Sequence, residues 1–335
     1  MADRVGDRGS GSELPVRALA WGAAFALAAV AGLPAAAVAQ TADDLSARCS
    51  VAGGDPGTCA AAAVAARTVV AQVGLMAGMG SEIPGEGSTL GRRLGGSPRV
   101  AVWMRGGVQP VGVPDPTRPN GADEASSWTP LIQAGLGLGI FDGFQLLPTV
   151  GGFLSLDVVG HGSSLLLSEG SGFDGRVDVL SAGARVGLLR ESFTLPGVSV
   201  SVVRRFSGSV RLGDSAAGDP SQITVDPSVT SLRVSVSKDL FAFGVLAGVG
   251  WDDFSSGTEM LVTDGVGGAV PVTAALDDRR RLYFASVSRQ LGILAWITFE
   301  GGWAEGFDPV AGYAGTGFDP SERALFGSVS LLLKL

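Results

Sequence analysis

The only histidine of this chain lies in the triplet His161-Gly162-Ser163, shortly after Asp157 and before Glu169. A histidine that takes a proton from a serine hydroxyl while an acid orients its ring activates a nucleophile, so this group carries a hydrolase reading. A second set is cationic and acidic: Arg185, Arg205, Arg233, Asp157, Glu300 and Lys334. Each sits in a segment of alternating apolar residues, on the side that is not apolar. Charges so placed either pair with one another, because a lone charge in a low-dielectric interior is costly, or line a narrow path that favours anions. A third pair, Cys49 and Cys59, frames the turn SVAGGDPGT, a spacing that suits a disulfide in an oxidising compartment.

Other chemistry is excluded by composition and spacing. One histidine and two cysteines leave too few ligands for a zinc site. Asp252-Asp253 and Asp277-Asp278 lack EF-hand spacing and read as solvated loop charge. The stretch GLGLGIFDG runs into a turn with no helix after it, so it cradles no phosphate. A net charge of −8 argues against nucleic acid as a partner. No metal and no cofactor are expected, and the hydrolase is the lesser of the functional readings.

The elements that must position these residues alternate with period two. In LRVSVSKDLFAFGVLAGVGW, Phe241, Phe243, Val245, Ala247, Val249 and Trp251 make one apolar face. Between them stand Ala242, Gly244, Leu246, Gly248 and Gly250, a face with little side chain at all. A water-soluble sheet puts polar groups opposite its core, whereas a sheet in hydrocarbon needs an apolar outside and tolerates any inside. Segments of this kind are expected near 99–107, 130–141, 144–157, 176–189, 197–209, 228–238, 240–251, 280–290, 292–303 and 324–335. Their lengths approach the ~9 to 11 residues that a tilted strand uses to cross a bilayer. Short turns at 141–143, 190–196, 238–240 and 289–292 alternate with long connections at 108–129, 158–175, 210–227, 252–279 and 304–323. Short turns leave no room for helical crossovers, so neighbouring strands pair antiparallel.

Aromatic residues fall at the segment ends. Trp128, Trp251, Tyr283, Trp303 and Phe173 lie toward the long connections, and Phe141, Phe144, Phe193 and Phe241 lie beside the short turns. Two such girdles match two membrane interfaces. Residues 1–39 read as a signal peptide: an apolar run from Ala18 ends in Ala37-Val38-Ala39. Residues 40–98 form a separate segment, periplasmic or plug-like, with the disulfide and an Ala-rich helix for which Thr58 is the expected N-cap.

Residues 99–335 resemble a bacterial outer-membrane β-barrel protein, and the final FGSVSLLLKL is similar to the C-terminal insertion signal of that class, with Leu335 in place of the usual Phe. The expected fold is therefore all-β: a transmembrane antiparallel up-and-down β-barrel of about ten strands, within roughly eight to twelve, with a short helical N-terminal segment. The resemblance implies location in the outer membrane, contact with its lipid and insertion by the barrel-assembly machinery. It implies a narrow passive channel, a small-ligand carrier or a structural surface protein. Two alternatives stand beside it: an outer-membrane hydrolase using the His161 loop, whose H-x-S spacing resembles that of lipid A deacylases, and a secreted soluble β-sandwich.

Overall fold

The computed structural model describes residues 41–92, 96–145, 151–264, 266, 268–315 and 317–335, so the expected signal peptide lies outside the described residues. Two helices, α1 (Ala42–Val51) and α2 (Pro56–Ala77), precede the strands. Then follow β1 (Val100–Pro114), β2 (Glu124–Phe141), β3 (Ser155–Leu166), β4 (Arg176–Leu189), β5 (Gly197–Ser207) and β6 (Val210–Leu212). The series ends with β7 (Ser221–Leu240), β8 (Phe243–Thr263), β9 (Ala269–Gln290), β10 (Ala295–Ala304) and β11 (Ala324–Lys334). Every pairing is antiparallel. β1 pairs with β11, and β5 pairs with β7, so ten strands close into a barrel and the three-residue β6 is only a side ribbon on β7.

Period two sets the two faces. Along β8, Phe243, Val245 and Ala247 are exposed, and Gly244, Leu246, Gly250, Asp252 and Phe254 are buried toward the interior. Outward residues of the other strands agree: Met104, Ile132, Leu136, Val202, Val287, Phe299 and Leu331 are large, apolar and exposed. Past Trp251 the outward side of β8 turns polar at Asp253, Ser255 and Glu259. The apolar stretch Phe243 to Trp251 thus has the length of one bilayer crossing, and the rest of the 21-residue strand projects beyond it.

Two expectations are corrected here. The third strand is Ser155–Leu166, which overlaps the expected 144–157 only at its end; residues 146–150 of that expectation lie outside the described residues. Much of the expected long connections at 108–129, 210–227 and 252–279 is strand as well, because β1, β2, β7, β8 and β9 continue past the apolar band. Sequence periodicity missed these extensions because their outward residues are largely polar, small or proline, which reads as loop when a membrane face is the template.

The N-terminal segment fills the interior. α1 begins with a capping box between Thr41 and Asp44, and the Cys49–Cys59 disulfide joins α1 to α2. The N-cap of α2 is Asp55, not Thr58; the Asp55 carboxylate accepts from the Thr58 backbone N–H at 2.9 Å, and Pro56 occupies the first turn, where its missing donor costs nothing. α2 touches β1, β2 and β3 on one side and β7, β8 and β9 on the other. Because β1 and β7 stand opposite one another in the ring, a helix that reaches both lies inside it. Nearly all of α2 is buried, which explains how an Ala-rich helix without a polar face is accommodated: small side chains let the wall close around it.

Candidate functional site in the barrel lumen

The lumen has two stories. In the upper one, toward the long connections, α2 packs through Val69, Val73 and Met76 against a common apolar core that includes Val111, Val229, Phe254, Met260 and Val262. Fit is tight: a Cβ added at Gly74 would come within 2.5 Å of the Phe254 ring. At Gly78 the helix ends, and the chain continues down the lumen through residues 78–92. There the packing changes from apolar to ionic.

Four arginines project from four strands into this lower story, and each meets a carboxylate. Arg185 on β4 pairs with Asp157 on β3 at 2.8 Å, and Arg233 on β7 pairs with Asp252 on β8 at 2.6 Å. Arg105 on β1 faces Glu300 on β10 at 3.4 Å. Arg205 on β5 pairs with Glu82 of the threaded segment at 2.8 Å. All eight side chains are at most 3% exposed. Burial of this kind is tolerated only when each charge is matched and its remaining valences are filled.

The threaded backbone fills many of those valences. Arg105 donates to the carbonyls of Met79 and Ser81, both at 2.6 Å. Arg185 donates to the Glu86 carbonyl at 2.7 Å, Arg233 to that of Gly78 at 3.3 Å, and Gln133 to that of Ala77 at 3.2 Å. In the other direction, the Ser81 N–H donates to Glu300, and the Leu90 N–H to Asp157 at 2.9 Å. Lys334 pairs with Glu86 near the lower mouth. Inward glycines make this possible: a Cβ at Gly137 would meet Ile83 at 2.7 Å, and one at Gly139 would overlap the Gly91 carbonyl. The bare inner face read from the sequence is the imprint of a second piece of chain.

Of the charged residues placed on the inner face by the sequence, Arg185, Arg205, Arg233, Asp157 and Glu300 are buried and inward-facing, and Lys334 is half-buried at the lower mouth. Arg105 and Glu82 were missed. Arg105 had a signal, since VAVWMRGG alternates and places it with Ala101 and Trp103; Glu82 had none, since it stands in the Gly/Pro-rich stretch SEIPGEG, which has no alternation. Asp252, read as solvated loop charge, is 1% exposed in its pair with Arg233.

His161 and Ser163 are not at a loop tip. Both are inward residues of β3, 5% and 4% exposed, because that strand begins eleven residues later than expected. His161 lies on a cross-strand row with Trp103, Gly135, Ser181 and Arg205, and its ring centroid is 6.5 Å from that of Trp103. The Ser163 hydroxyl accepts from Gln133 at 3.0 Å, and neither ring nitrogen of His161 has a side-chain partner among the described residues. Among the described residues, no hydrogen bond joins Ser163 to His161.

On the outer surface Trp128 is 71% exposed and Trp303 39%, while Trp251 and Tyr283 are half-buried; the Tyr283 and Trp303 rings stack at 5.4 Å. Phe173 differs from the expectation: it is buried, and its backbone forms an antiparallel bridge with Leu212 of β6. At the other end Phe193 and Phe241 are almost fully exposed. A closed barrel with a continuous apolar exterior, aromatic edges and a polar interior is the structure that solves backbone hydrogen bonding in hydrocarbon. The chain folds as a closed, ten-stranded antiparallel β-barrel whose exterior suits a lipid bilayer.

No family model matches the sequence, and no curated protein matches it. Solved structures do resemble it in shape. The translocator domain of the autotransporter NalP from Neisseria meningitidis aligns over 82% of this chain and all of its own, with a TM-score of 0.47 and 12% identity. The outer membrane protease OmpT from Escherichia coli aligns over 71% of this chain and 96% of its own, with a TM-score of 0.37 and 10% identity. The toluene transporter TodX from Pseudomonas putida aligns over 71% and 88%, with a TM-score of 0.29 and 10% identity. These likenesses are of barrel architecture alone, and nothing about activity passes from them to this chain.

Proposed function

We propose that this protein is an occluded outer-membrane barrel with a structural, surface-presenting role, rather than a channel that stands open. One observation carries the reading: the segment inside the lumen runs from the long-connection end to the short-turn end. Above, Ala311 donates its N–H to Asp43 at 2.6 Å, and Asn120 donates to Thr58 at 3.3 Å. Below, Arg92 donates to Asp142 at 2.7 Å, and Glu191 donates to Ser88 at 3.1 Å. In outer-membrane barrels the long connections face outward and the short turns face the periplasm. On that orientation α1, the disulfide loop and the extended β7–β9 sheet stand at the cell surface. The filled lumen holds them there.

An epitope inserted after Val51, in the turn between the helices, tests this orientation. Antibody should bind it on intact cells, while an epitope at Phe193 should need permeabilised ones. The reverse pattern overturns the reading. Full-length protein in planar bilayers should also be silent, and steady conductance would count against an occluded lumen.

A further inference from the structure

We infer that the lumen is a latent anion-conducting path, closed by the threaded segment acting as its built-in acidic ligand; this rests on the occluded-lumen reading above. Among the described residues, the buried wall carries five arginines, Arg105, Arg185, Arg205, Arg233 and Arg280, against three carboxylates, Asp157, Asp252 and Glu300. The buried wall by itself thus has an excess of two positive charges. The segment supplies what is missing: Glu82 for Arg205 and Glu86 for Lys334. Carbonyl oxygens of Gly78, Met79, Ser81 and Glu86 supply the rest.

Withdrawal of the threaded segment, α2 together with residues 78–92, would therefore strip acceptors from the cations of the lower lumen, while at the upper end it would free Asp278 from Arg67. Arg205 would lose Glu82, the one carboxylate it pairs with among the described residues, whereas Arg185 and Arg233 would keep Asp157 and Asp252. A narrow passage with net positive walls favours anions and repels cations. The carboxylate of Glu82, gripped through both oxygens, marks the chemistry of the site: a small oxyanion or halide replaces it.

The test uses the full-length protein in planar bilayers between unequal KCl solutions, with urea applied to draw the segment out. Conductance steps should then appear, with the reversal potential displaced toward the chloride equilibrium value and chloride several-fold more permeant than potassium. Full-length protein carrying Glu82→Ala and Glu86→Ala should open at lower urea with the same preference. Arg205→Ala should reduce that preference, and added inorganic phosphate should block the current more strongly than sulfonate buffers. Openings that favour potassium or show no preference overturn the anion path but leave the occluded barrel standing. Silence in urea and in the double variant also overturns it. Conductance before urea, by contrast, overturns the occluded reading itself.

Discussion

Arg205 on β5 donates to both carboxylate oxygens of Glu82, at 2.8 and 3.0 Å, across 123 residues of chain. Among the described residues it is the one fully buried ion pair of the lower lumen that joins the wall to the segment within it. Removing one partner leaves the other charged and dry, which typically costs ~3 to 5 kcal/mol. Glu82→Ala should therefore lower the temperature at which the barrel loses its folded mobility on gels. Combining it with Arg205→Met should recover most of the loss, and a double variant no better than the single one would refute the pairing as the cause.

Gly80 has φ +61° and stands against Glu300, where any Cβ would overlap the carboxylate. Gly80→Ala is strained in its backbone and displaces an acid that also holds Ser81. The expected result is a segment that no longer seats: faster proteolysis within 78–92, with strand content unchanged by circular dichroism. Unchanged proteolysis would mean that the turn after α2 is not held by this contact.

Outward residues differ by depth. A cation at Val245, in the middle of the apolar face of β8, should cost about 2 to 4 kcal/mol of folding into vesicles, whereas the same change at Glu259, beyond the band, should cost about 0 to 1. Urea titration of Val245→Arg and Glu259→Arg in phospholipid vesicles measures both. Equal effects would show that the apolar band does not end near Trp251.

The Cys49–Cys59 bridge closes a short loop at the long-connection end, and both sulfurs are buried. Loops of this size gain on the order of 2 to 3 kcal/mol from cross-linking in the chain-entropy model. Reduction should raise hydrogen exchange across α1 while leaving the lower lumen protected. Protection of α1 that survives reduction would assign its stability to packing alone.

Asp142, at the short-turn end, accepts from the Arg92 backbone N–H and from Arg190. Burial alone would raise its carboxyl, but the hydrogen bonds from Arg92 and Arg190 and the charges of both arginines outweigh it, so the group titrates below the usual 3.8. Its contribution is full above that value and is lost as pH falls through the lowered one. A carbon-detected titration of the Asp142 carboxyl should show a midpoint under 3.8, shifted upward by Arg190→Gln. A wild-type midpoint at or above 3.8 would contradict the contact.

Much of this was legible in the residues themselves. Alternation in β8, β2 and β11 is a local property, and hydrocarbon on one side of a sheet constrains every second residue regardless of what lies elsewhere. The same alternation put Arg185, Arg205, Arg233, Asp157 and Glu300 on the inner face, since period two admits only two choices. It failed at β3, which runs Ser155–Leu166 and so holds His161 in a strand rather than in the loop expected for it. It failed also at the sheet extensions, whose outward residues answer to water.

What local pattern could not contain was the occupant of the lumen. Glu82 sits in a Gly/Pro-rich stretch and acquires its meaning only from Arg205, a residue brought opposite by closure of β5 onto β7. Glycines lining the inner face signalled space, but the identity of the filler depends on where residues 41–92 travel after the ring is closed. Charge pairing inside a barrel is decided by three-dimensional proximity at low dielectric, and no spacing along the chain encodes it.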